Sequence, residues 1–420
     1  MVLLVQKFGG GTLTDLTKLV YIARKIQRYK QSGYDIVVVL SAMQGETDRL
    51  IELSGMVADK PCQREYDQLL SVGEQTSVCL MVMALQQLGL RASSMNAWQA
   101  GIHSDEAHKR ACIKTIFTGK IHKLLSQDII PVVTGFQALS SDSSLTTLGR
   151  GGSDTTAVAM AAALQADECQ IFVDVQGIYT ADPKIEPAAR LIHRIPIRQL
   201  LSYACMGAKV VQKRAVAIAA RYKVALRICP TFIEGLGTVV DYSQDTGVHD
   251  VEKTEVTAIA SVKDYVMLAV SGSQGKPQEL VDLLCELSKT GLDLEHSIKQ
   301  VSKECYQLDC LCSLDDYELA RPYLDKWSSL DPERSVRVSR DKAKVSLLGF
   351  GLARDMDITL SLISLLANAK MDYYYISALD HQLTVLVDVQ CLELVVRLLH
   401  QHHGLSKVSK PVHDAEMVVV

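Results

Sequence analysis

The segment Leu145–Asp154, with the sequence LTTLGRGGSD, is the most informative stretch for the fold of this 420-residue chain. It follows the apolar, β-branched run Ile129–Phe136 and leads directly into the alanine-rich run Thr155–Leu164. This order of strand, glycine turn and helix is typical of sheets built from parallel strands. Glycines let a ligand approach the backbone, and the first helical turn presents N–H groups to an anion. The segment therefore predicts an anion-binding turn, with an ordinary capped loop as the alternative.

Strand and helix patterns alternate through the N-terminal part of the chain. The predicted strands are Val2–Lys7, Asp35–Leu40, Arg91–Asn96, Ile129–Thr134, Gln170–Val175 and Val224–Cys229. The predicted helices are Asp15–Gln31, Gln68–Leu88, Ala107–Ser126, Asp154–Gln165 and Tyr203–Tyr222. Buried strands separated by helices predict an α/β domain with a mainly parallel sheet that is covered on both faces. Ligands bind beyond the carboxyl ends of the strands in such sheets.

The composition argues against several classes of protein. The chain has 44 Lys and Arg against 48 Asp and Glu, with a net charge of −4 and mixed signs, unlike a nucleic-acid binder. No apolar run reaches the roughly 18 residues of a membrane span, and the N-terminus lacks the pattern of a signal peptide. The 11 cysteines are odd in number and show no paired metal-ligand spacing. We therefore expect a cytoplasmic protein with reduced thiols, without a membrane or nucleic-acid partner.

Two groups of polar residues follow the first two strands. Lys7, Gly9 and Gly10 form a glycine turn with a lysine, which is suited to holding phosphate oxygens and neutralising a transferring phosphoryl group. The loop Ser41–Asp48 offers hydroxyls that either bind a small polar substrate or cap the next helix. Both positions are turns at the carboxyl ends of predicted parallel strands.

Further candidates lie on the long helix and after a later strand. Gly73 stands inside the helix, where glycine costs about 1 kcal/mol relative to alanine, so it suggests a close backbone approach. Glu74 beside it would pair with a substrate ammonium, or it is an exposed helix residue. The loop Asp174–Lys184 could contact a nucleotide, and Lys209 is a second candidate phosphate ligand. The joint placement on successive turns favours a phosphotransferase over a passive binding domain.

The pattern changes after the glycine-containing boundary near Thr231–Glu255. Two copies of a β-α-β-β-α order then follow within about 150 residues, which predicts twin ferredoxin-like modules. Neither module carries an evident nucleophile or base.

These motifs together resemble the aspartate kinases of the amino-acid kinase superfamily over essentially the whole chain. The resemblance is carried by KFGG at Lys7–Gly10, SAMQGETD at Ser41–Asp48, LLSVGEQ at Leu69–Gln75, PVVTGF at Pro131–Phe136, TTLGRGGSD at Thr146–Asp154, DVQGIYTADP at Asp174–Pro183 and GAKVVQ at Gly207–Gln212. It implies a three-layer αβα, carbamate kinase-like domain over residues 1–245 and two βαββαβ ACT modules over 254–336 and 337–410. By analogy, the strand Val256–Val262 completes the second module.

The same resemblance implies transfer of the ATP γ-phosphate to the β-carboxylate of L-aspartate, with Mg²⁺, as the first step towards lysine, threonine and methionine. It implies Lys7 and Asp154 as catalytic residues. It implies aspartate binding by Ser41, Thr47, Glu74, Phe136, Arg150 and Ser153. It implies nucleotide binding by Lys7, Gly9, Gly10, Asp174, Tyr179, Lys184 and Lys209. A carboxylate nucleophile is already ionised at neutral pH, so no general base is needed.

The sequence departs from the family pattern at several positions. Val173 replaces a common threonine, and Lys184 stands where arginine is frequent, which loses bidentate geometry. The loop Ser271–Pro277 also differs from the usual ACT loop, so the resemblance assigns no particular effector. Homodimers or higher homo-oligomers are expected. Two alternatives stay open: a kinase for glutamate or N-acetylglutamate, and a non-catalytic amino-acid sensor.

Overall fold

The structure is a computed structural model that describes residues 2–206, 211–242, 254–272, 276–302 and 305–406. It divides into two compact units. The first unit comprises Met1–Ile178 and Leu191–His249, and the second comprises Tyr179–Arg190 and Asp250–Val420. The domain boundaries predicted from the sequence placed Tyr179–Arg190 in the first domain. Those boundaries stay predictions.

The first unit alternates strands and helices. Its strands are β1 Leu3–Phe8, β2 Asp35–Leu40, β3 Ala92–Met95, β4 Ile102–Ser104, β5 Ile113–Ile116, β6 Ile130–Thr134, β7 Gln137–Leu139, β8 Leu145–Thr147, β9 Glu168–Val173, β10 Ile178–Tyr179 (whose last residue already belongs to the second unit), β11 Leu191–Ile192, β12 Arg194–Pro196, β13 Leu226–Pro230 and β14 Thr238–Asp241. Its helices are α1 Leu16–Gln31, α2 Glu46–Val57, α3 Gln63–Leu70, α4 Val72–Gln87, α5 Gly119–Ser126, α6 Gly152–Leu164, α7 Ile197–Cys205 and α8 Lys213–Tyr222.

The main sheet has eight strands in the order β12-β14-β13-β9-β1-β2-β6-β3. β1 pairs in parallel with both β2 and β9, and β6 pairs in parallel with β2 and β3. Five consecutive residues of β1 and of β2 are buried, as expected for central parallel strands with both faces covered. The predicted mainly parallel α/β sheet is therefore confirmed, and the carboxyl ends of β9, β1, β2 and β6 lie side by side.

Helices cover both faces of this sheet and complete three layers. α1 and α4 pack on one face, around Phe8, Ile22, Val38, Met81 and Val132. α6 and α8 pack together, with α6 against β1 and β9. Because α6 is rich in alanine, its backbone approaches the strands closely, and ten of its residues are buried.

One stretch among the described residues, Gln63–Gln87, is long and apolar enough to cross a membrane by length and composition. It consists of α3 and α4, which pack against β8 and against β3 and β6. Half of its most apolar window is buried inside the protein, and the core helix of a globular domain passes the same test.

Three predicted helices were wrong in extent. The region Ala107–Ser126 contains β5 and the short α5, because its β-branched residues pair with β4. The helix Gln68–Leu88 is interrupted at Ser71, whose carbonyl accepts a hydrogen bond from Gln137 Nε2 at 3.0 Å. Within the helix predicted over Tyr203–Tyr222, the described residues form the end of α7 and α8, and residues 207–210 lie outside the described part of the chain.

The second unit has one antiparallel sheet in the order β16-β17-β15-β18-β20-β19. Its elements are β15 Glu255–Ser271, α9 Gln278–Ser288, β16 Glu295–Ser302, β17 Cys305–Ser313, α10 Leu314–Ser329, β18 Ser335–Phe350, α11 Met356–Asn368, β19 Tyr373–Leu379, β20 Gln382–Asp388 and α12 Leu392–His402.

The long strands β15 and β18 each serve two modules. The pairing of β15 with β18 shifts register near Asp264 and Asp341, which both have positive φ. Residues 265–271 with 335–342 belong to one βαββαβ arrangement, and residues 255–262 with 344–350 belong to the other. Each arrangement has its own apolar core, so the predicted twin ferredoxin-like fold is confirmed.

Candidate functional site

A buried ion pair joins the end of β1 to the first turn of α6. Lys7 Nζ lies 2.5 Å from Asp154 Oδ1, and the two side chains are 11% and 8% exposed. Asp154 Oδ2 accepts a hydrogen bond from the backbone N–H of Gln212 at 3.3 Å. Asp154 also benefits from the positive end of the helix dipole. The pair places one cation and one anion at the carboxyl edge of the sheet, where ligands of such folds bind.

The glycine turn after β1 lies directly under this pair. A Cβ on Gly9 would be 2.7 Å from Lys7 Nζ, so the ammonium rests over the Gly9 backbone. The turn is tight, with Thr12 Oγ1 donating to Gly9 O at 2.7 Å. A Cβ on Gly10 would be 3.4 Å from Ala42 O, in the loop after β2. The turn therefore exposes backbone between two strand ends, as a phosphate-binding turn requires.

Glu74 is a buried carboxylate of which only one oxygen is paired. Its side chain is on α4, and the residue is 3% exposed. Oε1 accepts from Ala42 N at 3.0 Å, while Oε2 has no hydrogen-bond partner in the described part of the chain. Desolvation by burial raises the pKa of Glu74 to about 8, against the lowering effect of the Ala42 N–H. A Cβ on Gly73 would lie 2.8 Å from Ala42 Cβ, which confirms the close approach that the helix glycine predicted.

Two further buried acceptors were missed by the sequence reasoning. Thr134 Oγ1 at the end of β6 and Gln137 Oε1 at the start of β7 are buried, and neither has a partner among the residues described. Buried polar atoms without partners are rare in native proteins and are a reason to look for a ligand. Thr134 pairs in register with Leu40, at the carboxyl edge of the sheet. The polarity of the last residue of an otherwise apolar strand was the only signal available.

The end of β6 packs tightly against the first turn of α6. Phe136 is half-buried with φ of 69°, and its carbonyl accepts from Leu148 N at 2.8 Å. A Cβ on Gly135 would lie 2.5 Å from Ser153 Oγ and 2.9 Å from Ser153 Cα. A Cβ on Gly152 would lie 3.0 Å from the Phe136 ring, so Gly135 packs against Ser153 and Phe136 against Gly152.

Replacing Gly135 by alanine is expected to lower the free energy of unfolding by about 1–3 kcal/mol, because the new methyl group overpacks this contact. Chemical denaturation measures the change. Gly55→Ala in α2 is the matched control, since a Cβ there meets nothing within 4 Å. That variant is expected to gain about 0.5–1 kcal/mol from helix propensity. An unchanged stability in Gly135→Ala would contradict the close packing.

The other predicted substrate residues lie in the segments that follow β2 and β8. Ser41 is half-buried directly after β2, and its N–H donates to Phe8 O at 3.1 Å. Thr47 is half-buried in the first turn of α2. Arg150 is exposed on the turn between β8 and α6.

The predicted nucleotide residues have three different outcomes. Asp174 is exposed directly after β9, and its carboxylate would be 3.9 Å from a Cβ on Gly11. Tyr179 and Lys184 belong to the second unit, in which Tyr179 is half-buried and Lys184 exposed. Lys209 lies outside the described residues.

The fold and the site define a kinase for a small molecule. Residues 2–230 match the model of the amino acid kinase family, and the chain belongs to that family. The aspartate kinase of Pseudomonas putida is 36% identical over 407 residues, which cover 97% of this chain and 98% of that protein. Within the family, the chain therefore belongs to the aspartate kinases.

Solved structures agree on the fold. Escherichia coli aspartokinase III in complex with aspartate and ADP superposes with a TM-score of 0.78 at 23% identity, covering 95% of this chain and 99% of that one. The same enzyme in complex with lysine and aspartate superposes with a TM-score of 0.67 at 22% identity, over 95% and 99%. At these identities the likeness concerns the fold.

Proposed function

We propose that this chain transfers the γ-phosphoryl group of ATP to the β-carboxylate of L-aspartate, giving 4-phospho-L-aspartate and ADP. The single observation that carries the proposal is the buried Lys7–Asp154 pair directly over the glycine turn. This arrangement presents a fixed ammonium and the backbone of a glycine turn to an anion. Membership of the aspartate kinases supplies the substrate.

On the phosphate side, Lys7 would neutralise charge that develops on the transferring phosphoryl group, and Gly9 and Gly10 would donate N–H groups to it. Asp154 would hold the Lys7 ammonium in place through their ion pair. Asp174, which follows β9 in the first unit, would contribute to nucleotide binding.

Magnesium would fit this site as a phosphate-bound ion. Among the described residues, no group of three His, Cys, Asp or Glu side chains could hold a metal ion on its own. Mg²⁺ usually binds through one or two carboxylates together with substrate phosphates, and Asp154 and Asp174 are the carboxylates near the glycine turn. Bound there, the ion would neutralise charge on the β- and γ-phosphates.

On the substrate side, Glu74 would face the α-ammonium of aspartate, since its Oε2 is buried and lacks a partner in the described chain. Arg150 would bind the α-carboxylate, and Ser41, Thr47, Phe136 and Ser153 would complete the pocket. A β-carboxylate oxygen then forms a bond to the γ-phosphorus while the bond to the β–γ bridging oxygen breaks, and ADP leaves. The nucleophile is ionised at neutral pH, so no proton has to be removed.

A substrate panel tests the proposal. ADP formation is measured with L-aspartate, L-glutamate, N-acetyl-L-aspartate and N-acetyl-L-glutamate. We expect kcat/KM to be highest for L-aspartate and about 10⁴-fold lower for N-acetyl-L-aspartate, because the acetyl group removes the ammonium and leaves Glu74 unpaired. Highest activity with glutamate or its N-acetyl form would replace the proposed substrate. Amino-acid binding in calorimetry without any ATP turnover would instead support a sensor.

The second unit would act as the regulatory part of the enzyme. We propose ACT modules over 254–336 and 337–410, the second completed by residues 256–262, after a catalytic domain over 1–245. E. coli aspartokinase III, which shares the fold, has been solved with lysine, so an amino-acid effector is proposed here. A thermal-shift screen with lysine, threonine and methionine identifies the effector as the compound that raises Tm. We also propose a cytoplasmic homo-oligomer.

A further inference from the structure

Asp67 is a fully buried carboxylate on α3 that none of the proposed roles uses. It accepts hydrogen bonds from two backbone N–H groups, those of Lys109 at 2.9 Å and Thr147 at 3.1 Å. The Thr147 hydroxyl donates to its other oxygen at 2.7 Å. His108 Nδ1 lies 2.8 Å from Oδ2. The Asp67 carboxylate therefore accepts hydrogen bonds from two separate segments of the chain.

Those two segments meet at the start of the turn between β8 and α6. Thr147 is the last residue of β8, and its carbonyl accepts from Ala111 N at 2.9 Å. Lys109 has φ of 68°, and its carbonyl oxygen would lie only 3.0 Å from a Cβ on Gly149. Asp67 thus binds the backbone N–H of Lys109, and the carbonyl of Lys109 packs against the turn.

A second group ties the same segments together from α8. The Arg214 guanidinium donates to Leu148 O at 2.6 Å and to Ala111 O at 2.9 Å. The beginning of the turn is therefore held by an anion on α3 and by a cation on α8. The glycines that follow have φ of 78° at Gly149 and 64° at Gly151, so the turn adopts a backbone conformation that residues other than glycine rarely adopt.

We propose that Asp67 is a positioning residue for aspartate binding: by fixing Lys109 and Thr147 it holds the turn that presents Arg150 and Ser153 to the substrate. This inference rests on the proposed function of that turn. Holding a glycine-rich turn in its binding conformation before the substrate arrives reduces the entropy lost on binding. Asp67 itself does not touch the reacting atoms.

The Asp67→Asn variant tests the proposal. Asparagine keeps the shape but turns one acceptor oxygen into an N–H donor that faces the donors of Lys109 and Thr147. We expect KM for aspartate to rise about tenfold or more, with KM for ATP within about twofold of the wild type. Removing a negative charge would by itself relieve Coulomb repulsion and so lower KM for an anionic substrate. The expected rise therefore has the opposite sign to a simple charge effect.

Variants of Thr147 keep the test decisive if Asp67→Asn folds poorly. Thr147→Val removes the hydroxyl donor to Asp67 and is expected to raise KM for aspartate several-fold, whereas Thr147→Ser keeps the donor and is expected to behave as the wild type. Ile22→Val, in the core on α1, controls for lost stability: it lowers Tm without changing KM for aspartate.

The outcomes separate the two claims. A wild-type chain without aspartate-dependent ADP formation overturns the proposed function. An active wild type, together with an unchanged KM for aspartate in Asp67→Asn and Thr147→Val, overturns the positioning role alone. Equal increases in KM for aspartate and ATP also overturn it, because a local hold on this turn predicts a selective effect.

Discussion

Replacing Lys7 by methionine is expected to lower kcat for aspartate-dependent ADP formation by about 10³-fold, with KM for aspartate changed much less. The reason is that Lys7 Nζ, held over Gly9 by Asp154, is proposed to neutralise charge that is larger in the transition state than in bound ATP. Methionine fills similar volume, so the cavity stays small. Steady-state kinetics with aspartate and ATP varied separately measure the effect.

Two further variants make this result specific. Lys7→Arg is expected to remain impaired, because the 2.7 Å between Lys7 Nζ and a Cβ position on Gly9 leaves little room for a planar guanidinium. Lys30→Met is the matched control. Lys30 lies in the last turn of α1 and pairs with Asp35, the first residue of β2, and with Asp128. Because β1 and β2 are parallel, Asp35 lies at the end of these strands opposite to the glycine turn. Lys30→Met should keep the wild-type kcat. A Lys7→Met variant that is folded by its thermal unfolding and retains kcat within about threefold would contradict the role of Lys7.

Replacing Glu74 by glutamine is expected to raise KM for aspartate by about 10²-fold, because the buried partner of the α-ammonium loses its charge. Volume and the hydrogen bond from Ala42 N are retained, so folding should survive. Ser77→Ala, a buried polar residue one turn further along α4, is a control that should leave KM unchanged. Equal KM values in Glu74→Gln and the wild type would remove Glu74 from the substrate site.

The pH dependence gives the same residue a second signature. Burial raises the pKa of Glu74 to about 8, so below that pH the free enzyme carries a neutral carboxyl that cannot attract an ammonium. The kcat/KM for aspartate should therefore increase with pH up to about 8 in the wild type. In Glu74→Gln this rise of kcat/KM with pH should be absent. If kcat/KM rises with pH equally in the variant, the rise is caused by another titrating group.

Stability should change with pH in the opposite direction. The pKa of Glu74 is about 8 in the folded protein and has an ordinary value of 4.5, so the folded state retains a proton that the unfolded chain has lost in this range. The contribution of the Glu74 proton to the free energy of unfolding is complete below pH 4.5 and is lost as the pH rises towards 8. Without substrate, Glu74→Gln should thus gain stability relative to the wild type between pH 5 and 9, measured by denaturant unfolding at fixed ionic strength. A difference that does not vary with pH would contradict the raised pKa.

The secondary structure was predictable where local pattern and tertiary contacts agree. The short apolar, β-branched runs of β2 and β6 predicted buried strands, and the glycine turn after β1 located the binding edge. The helix predicted over Ala107–Ser126 failed because Asp105 and Asp67 bind backbone N–H groups of its first part and β4 pairs with its middle. Asp67 is distant in sequence. Asp105 and β4 are close in sequence and compete with helix formation for the same backbone groups.

The residues proposed to do the chemistry were recognisable because their types and spacing follow from what phosphate and an amino acid require of a protein. Lys7, Glu74 and Asp154 belong to this group, and each needs only a strand end or a helix turn to place it. The supporting contacts were not recognisable. Asp67 is one of many acidic helix residues in the sequence, and only its burial against Lys109 and Thr147 distinguishes it. Burial and pairing depend on segments that are far apart in the chain. The free-energy cost of burying a carboxylate depends on the hydrogen bonds that those segments supply.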